Sequence, residues 1–238
     1  MIGHEHHKSI VNKLSIIIGL YVVSIFFAQD HFLGYMVWNI MLAAIPFYMA
    51  VLIYRNVSKG VTTEVRHKVV LAILSLIWFL FYPNTSYIIT DLIHIQSQKF
   101  IVVNPNYTPY SNEARLLFNP DFALWHHMYT IVMGVFIAVA LSFVALYVIQ
   151  QLLADKWNRT IGWSFVITMQ LLSGFAIYLG RFIRWNSWDI LTDPSNILVI
   201  ITRDIHLESI QFTLLFGTAN LVIYIILYVL VHRPIVRT

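Results

Sequence analysis

Apolar residues fall into six long runs separated by polar connections, and within the runs they are continuous rather than alternating. This pattern predicts helical spans at about 14–28, 32–54, 69–86, 124–153, 161–183 and 210–231. A helix rises about 1.5 Å per residue and must cover about 30 Å of hydrocarbon. The third run breaks the rule, because its apolar part, residues 69–80, is too short to cross. It has to borrow from the polar segment that follows. Residues 83–94 read Pro-Asn-Thr-Ser-Tyr-Ile-Ile-Thr-Asp-Leu-Ile-His. At about 100° per residue, Asn84, Tyr87, Thr90, Asp91 and His94 share an arc of about 120°, with Thr85, Ile89, Leu92 and Ile93 opposite. Pro83 lacks an N–H and disfavours helical geometry at Tyr82, which predicts an interruption or kink. A polar arc at membrane depth needs protein or water to face.

Punctuation elsewhere is consistent with a single integral membrane domain over residues 1–238. The N-terminal His4, His6 and His7 read as a mobile tail, and the first run reads as an uncleaved span. Pro46 should kink the second span. The connection 96–122 is rich in Asn-Pro dipeptides, which predicts ordered turns or a short helix near 112–118. The fourth span opens with Trp125, His126, His127, Met128 and Tyr129, and the fifth ends on Gly180, Arg181, Arg184, Trp185, Asn186, Trp188 and Asp189. Segments 84–91 and 186–193 match at Asn, Ile, Thr and Asp in register, the outline of a parallel internal repeat. Gly19, Gly34, Gly134, Gly162, Gly174 and Gly217 offer close helix approach.

Composition narrows the class. Of 238 residues 59% are hydrophobic and 11% charged, against about 25% charged in soluble domains. The fold class is therefore all-α, a polytopic helical membrane protein embedded in a lipid bilayer. A net charge of +4 does not indicate nucleic acid, since the basic residues are scattered between spans and form no stripe. The absence of cysteine removes disulfides, thiol nucleophiles and thiolate metal sites. Orientation follows from the basic residues. Lys99, Arg115, Arg181, Arg184 and Arg203 fall on one side and the other ten of the 15 on the opposite side. The rule that cytoplasmic loops carry the positive charge then puts both termini inside. The two polar segments and the starts of the fourth and sixth spans share the outer side.

The segment 83–94 and the segment Arg184-Trp185-Asn186-Ser187-Trp188-Asp189, with Gly180 and Arg181 upstream, resemble the signatures of a bacterial membrane family catalogued as domain of unknown function 1361. The resemblance covers the second span to the sixth. The family pattern commonly places a second proline two residues after the Asn, where Ser86 stands here. It implies a multi-pass protein of a bacterial cytoplasmic membrane and no particular activity.

Three functions compete for the outer polar residues. The first is binding or translocation of a small anionic molecule or a lipid-linked ligand with its head group. Asn84, Tyr87, Thr90, Asp91, Arg181, Arg184, Asn186 and Asp189 are the candidates, since Arg181 and Arg184 lie three apart and guanidinium forks suit phosphate or carboxylate. The plain alternative for the arginines is an interfacial belt with Trp185 and Trp188. The second is a metal-assisted membrane hydrolase or transferase, with a divalent metal as cofactor. Asp91 and His94, spaced i, i+3, would be joined by His126 and His206, and another acid such as Asp193, Asp204 or Glu208 would act as base. The third is an accessory or assembly subunit in which polar residues lock helices together. Counted from Val69, Asp91 lies about 33 Å along the helix, at the edge of the hydrocarbon, and a carboxylate there calls for Arg181 or Arg184 as partner.

Because the chain has no cysteine, the orientation can be read with single introduced thiols. Cysteine at Asn106 or Ser195 is expected to react with an impermeant thiol reagent on intact cells, and cysteine at Ser58 is not. Labelling at Ser58 alone would invert the topology.

Overall fold

The computed structural model of the chain describes residues 4–27, 33–58, 65–193, 195, 199–200, 203 and 205–232, without the side chains of 4–8, 27, 191 and 232. Six helical segments are long and apolar enough to cross a membrane. Helix α1 spans His4–Phe27, α2 Gly34–Ser58, α3 Val65–Phe81, α4 Pro83–Tyr87, α5 Phe122–Lys156, α6 Arg159–Tyr178, α7 Asp189–Thr192 and α8 Leu207–His232. The expected tail at residues 4–8 is instead the first turns of α1. The turn at 29–31, Lys59, Asp204, Arg233, Arg237 and the side chains of His4, His6 and His7 lie outside what is described.

Each span starts and stops for local reasons. Asp121 caps α5, its carboxylate accepting from Ala123 N at 3.0 Å, and Asn158 caps α6 by accepting from Ile161 N at 2.9 Å. Helix α2 runs on through Pro46. The third span does not end where its apolar residues do. The Tyr82 N–H donates to Trp78 O at 2.8 Å, α4 starts at Pro83, and a 3₁₀ helix over Ile88–Ser97 carries the chain onward. Pro83 thus takes the first position of a new helix, where its missing N–H costs nothing. The span reaches from Val65 to Ser97, well beyond the expected end at 86.

The core is built on α2 and α5, which supply most of the residues buried from all sides, among them Met36, Ile40, Phe47, Ile131, Leu141 and Leu146. Tyr82 and Trp78 of the third span join this core and stack on one another, with ring centroids 4.9 Å apart. Polar groups within the spans find one another. The Tyr224 hydroxyl donates to Gln150 Oε1 at 2.6 Å, and Ser142 donates to the Tyr82 hydroxyl at 3.2 Å. Helices α6 and α8 pack along their length, and at their crossing Gly174 faces Gly217. A Cβ on Gly174 would lie 2.6 Å from Gly217 N, closer than atoms approach. Gly19, by contrast, has nothing within 4 Å.

The long connection holds the only strands among the described residues. Strands β1 (Ile101–Val103) and β2 (Leu116–Phe118) pair antiparallel, with Ile101 opposite Phe118 and Val103 opposite Leu116. Of the ordered turns or short helix expected near 112–118, the turns and bends are present through 105–115, and the place of a helix is taken by the strand at 116–118. Branched and aromatic side chains at 101–103 and 116–118 suit a pleated ladder better than a one-turn helix.

Gly174→Ala is expected to lower stability by about 1–3 kcal/mol through overpacking against backbone. Gly19→Ala should be neutral or slightly stabilising. Thermal unfolding in detergent compares the two.

Candidate functional site

Asp91 is the centre of the polar end of the bundle, and it is 2% exposed. One carboxylate oxygen accepts from Arg181 Nη2 at 2.9 Å and the other from Asn39 Nδ2 at 2.7 Å. Arg181 also donates through Nε to Thr90 Oγ1 at 3.2 Å and through Nη2 to the same hydroxyl. Thr90 in turn donates to Tyr87 O at 2.7 Å. The guanidinium carbon lies 4.7 Å over the Tyr87 ring. A charge that would be costly near hydrocarbon is thus met by an opposite charge, an amide and an aromatic face.

Backbone geometry makes this meeting feasible. In a 3₁₀ helix residues three apart eclipse, so Ile88, Asp91 and His94 form one row. Tyr87 packs on Gly180, where a Cβ would stand 2.9 Å from the ring. After α6 the chain makes a π-helical turn over Leu179–Ile183 and then places Arg184 in the left-handed region at φ 60°, ψ 33°. Both are uncommon conformations for such residues, and such features gather at functional sites. The π turn presents Arg181 to Asp91. Arg184 is carried away to an exposed position, so the i, i+3 guanidinium pair expected from the sequence does not form.

The remaining candidates divide. Asn84 Nδ2 donates to Ser187 Oγ at 3.0 Å, joining the two segments thought of as a repeat. Their acids differ, since Asp91 is buried and Asp193 exposed. Asp189 accepts from Asn186 N at 2.6 Å and from Asn186 Nδ2 at 3.3 Å, closing the turn ahead of α7. The metal quartet Asp91, His94, His126 and His206 does not assemble. Among the described residues no three His, Asp or Glu side chains gather closely enough to hold an ion. His94 Nε2 is 3.9 Å from Asp91, but His126 sits by Phe122, and His206 faces Tyr178 and Glu208. The physical reason is that these histidines lie in or next to three different spans, and Asp91 is already held by Arg181 and Asn39.

Two cavities of about 500 Å³ flank this cluster. One is polar, lined by Tyr35, His94, Ser97, Gln98, Asp121 and His127. The other is mostly apolar and runs along α2, α3 and α6. Its deeper wall is Leu42, Phe79, Leu80, Met169, Leu172 and Ala176, and its outer wall is Trp38, Asn39, Asn84, Tyr87, Trp185, Asn186, Ser187 and Trp188. Among the described residues the lining carries no ionisable side chain other than the Tyr87 phenol. Trp185 Nε1 is buried there without a hydrogen-bond partner among the described residues. Asn39 touches both the cavity and Asp91, and the sequence analysis missed it. Its only signal was an amide alone inside an apolar run.

Fold and site together define a multi-pass helical membrane protein with a buried ion pair beside a lateral cavity. A family model described as protein of unknown function (DUF1361) matches residues 38–223, and the chain belongs to that family. No curated protein and no solved structure matches it.

A double-mutant cycle checks the pair. Asp91→Ala is expected to cost about 3–5 kcal/mol, because it strands a guanidinium against Tyr87 and Thr90. Arg181→Ala should then cost much less in the Asp91→Ala background, whereas Arg184→Ala should add independently. Thermal stability in detergent reads all of these.

Proposed function

We propose that this protein binds an amphiphilic, lipid-type ligand in the lateral cavity, with the chain of the ligand along α3 and α6 and its head among the outer amides. One observation carries the reading: the cavity wall changes character with depth. Met169 and Leu172 lie toward the middle of their span and Asn186 and Ser187 past its end, while Asn39 and Asn84 stand about one turn nearer that same end than Leu42 and Leu80. Ligand sites pair a largely apolar lining with a few placed polar groups, which here are the Asn39, Asn84 and Asn186 amides and the Ser187 hydroxyl. A head group without charge suits the lining. The anionic alternative is disfavoured because Arg181 is committed to Asp91 and Thr90, and because Arg184 is exposed and does not line the cavity.

The buried pair supports the site without touching the ligand. It fixes Asn39 and Tyr87, which stand in the cavity wall. In this reading the site faces the outer side, by the orientation expected from the basic residues.

The test is thermal stabilisation of purified protein by diacylglycerol, a glycosyl diacylglycerol, phosphatidylglycerol and inorganic phosphate. Ligand present at about 100 times Kd stabilises by about 2.7 kcal/mol, a shift of several degrees. Neutral amphiphiles should raise Tm, phosphate should not, and Ala176→Phe, which fills the deep part of the cavity, should abolish the shift. No shift with any lipid, or one that survives Ala176→Phe, would overturn the proposal. Stabilisation by phosphate alone would return the anionic ligand.

A further inference from the structure

The hairpin β1–β2 presents an apolar face that none of the described residues covers. Direct partners in an antiparallel pair lie on one face, as do alternate residues along a strand. Ile101, Val103, Leu116 and Phe118 therefore form a single patch, and they are 56%, 65%, 56% and 74% exposed. An isolated two-stranded hairpin is marginal in water and needs something to pack on. Single exposed apolar residues are ordinary, but four in cross-strand register are not.

The position of the hairpin says what that something is. Its base is tied to the first turn of α5, where Trp125 Nε1 donates to Asn119 O at 2.7 Å and the Trp125 ring meets Phe100 at 5.3 Å. Asn119 Nδ2 also donates to Lys99 O at 3.2 Å. On α5 itself Phe122, Tyr129 and Phe136 recur every seven residues, which puts them on one face, and all three are exposed. In a membrane span such a face looks at lipid, and Trp125 stands beside it. The apolar face of the hairpin is thus tied to the end of a lipid-facing stripe. Its strands begin four residues after Ser97 and end four before Phe122, so the tethers reach at most about 14 Å from the span ends. The interfacial layer on each side of a bilayer is about 5–8 Å deep, within that reach. Lys99 and Arg115 flank the strands, and neither is in an ion pair among the described residues, which suits lipid phosphates.

We propose that the hairpin is an interfacial anchor that lies on the bilayer with Ile101, Val103, Leu116 and Phe118 against the lipid. Its strand edges stay in the hydrated head-group layer, since open edges do not enter hydrocarbon. The turn carrying Tyr110, which is fully exposed, points to water. This surface makes no use of the lateral cavity and stands or falls separately from it.

Single cysteines at Val103 and Phe118 on the face, Leu117 on the reverse and Tyr110 at the tip would carry an environment-sensitive fluorophore. The protein is reconstituted in vesicles of phosphatidylethanolamine and phosphatidylglycerol. Labels at Val103 and Phe118 are expected to emit to the blue and to be quenched by nitroxide-bearing lipids, not by iodide. Labels at Leu117 and Tyr110 should show the reverse. Iodide quenching at all four would put the hairpin in water and overturn the proposal. Protection of Phe118 from both quenchers would mean that a second copy or another protein covers the face, and lipid quenching at Leu117 would mean insertion rather than a face-down arrangement; either result overturns it as well.

Discussion

A carboxylate sealed from water at the end of a membrane span dictates much of this architecture. Asp91 cannot be left alone there, and the groups that satisfy it come from three separate parts of the chain: Asn39 from α2, Thr90 from its own helix by way of Arg181, and Arg181 from the turn after α6. Each of these then constrains its surroundings. Arg181 must approach over Tyr87, which requires Gly180 to be bare. The π turn and the left-handed Arg184 follow from aiming one guanidinium inward while the chain leaves the helix. Asn84, held by Ser187, closes the same corner from the other side.

Burial of this kind gives specificity of arrangement more readily than net stability, because desolvation offsets much of the Coulombic gain. The wall of the lateral cavity benefits directly. Asn39 and Tyr87 are rigid because of what lies behind them, and the cavity keeps its shape without charged side chains in its lining. The polar cavity on the other flank shares the same partition through His94, which lies 3.9 Å from Asp91. Two spaces of opposite character are thus separated by one buried side chain and its partners.

What the sequence revealed and what it hid follow from the same physics. Hydrocarbon admits only helices with satisfied backbones, so six apolar runs were enough to place six spans. The singular polar segment at 83–94 stood out because its run was too short to cross without it. Asn39 did not, since a single amide within the apolar run 32–54 carries no pattern. Choosing between Arg181 and Arg184 required the π turn, which no spacing rule forecasts. The β-hairpin went unseen because three-residue strands are too short to show a period, and turn dipeptides dominate the connection. The i, i+3 spacing of Asp91 and His94 suggested a ligand pair, but convergence with histidines of other spans is a property of helix rotation, and His126 and His206 are turned elsewhere.

The 3₁₀ segment from Ile88 to Ser97 carries one more implication. Ten residues at about 2.0 Å each are about 5 Å longer than the same ten wound as an α-helix, and runs beyond three or four residues are uncommon. That extra length sets the level at which Asp91 meets Arg181 and Asn39, and the threefold winding keeps His94 on the same side one turn further on.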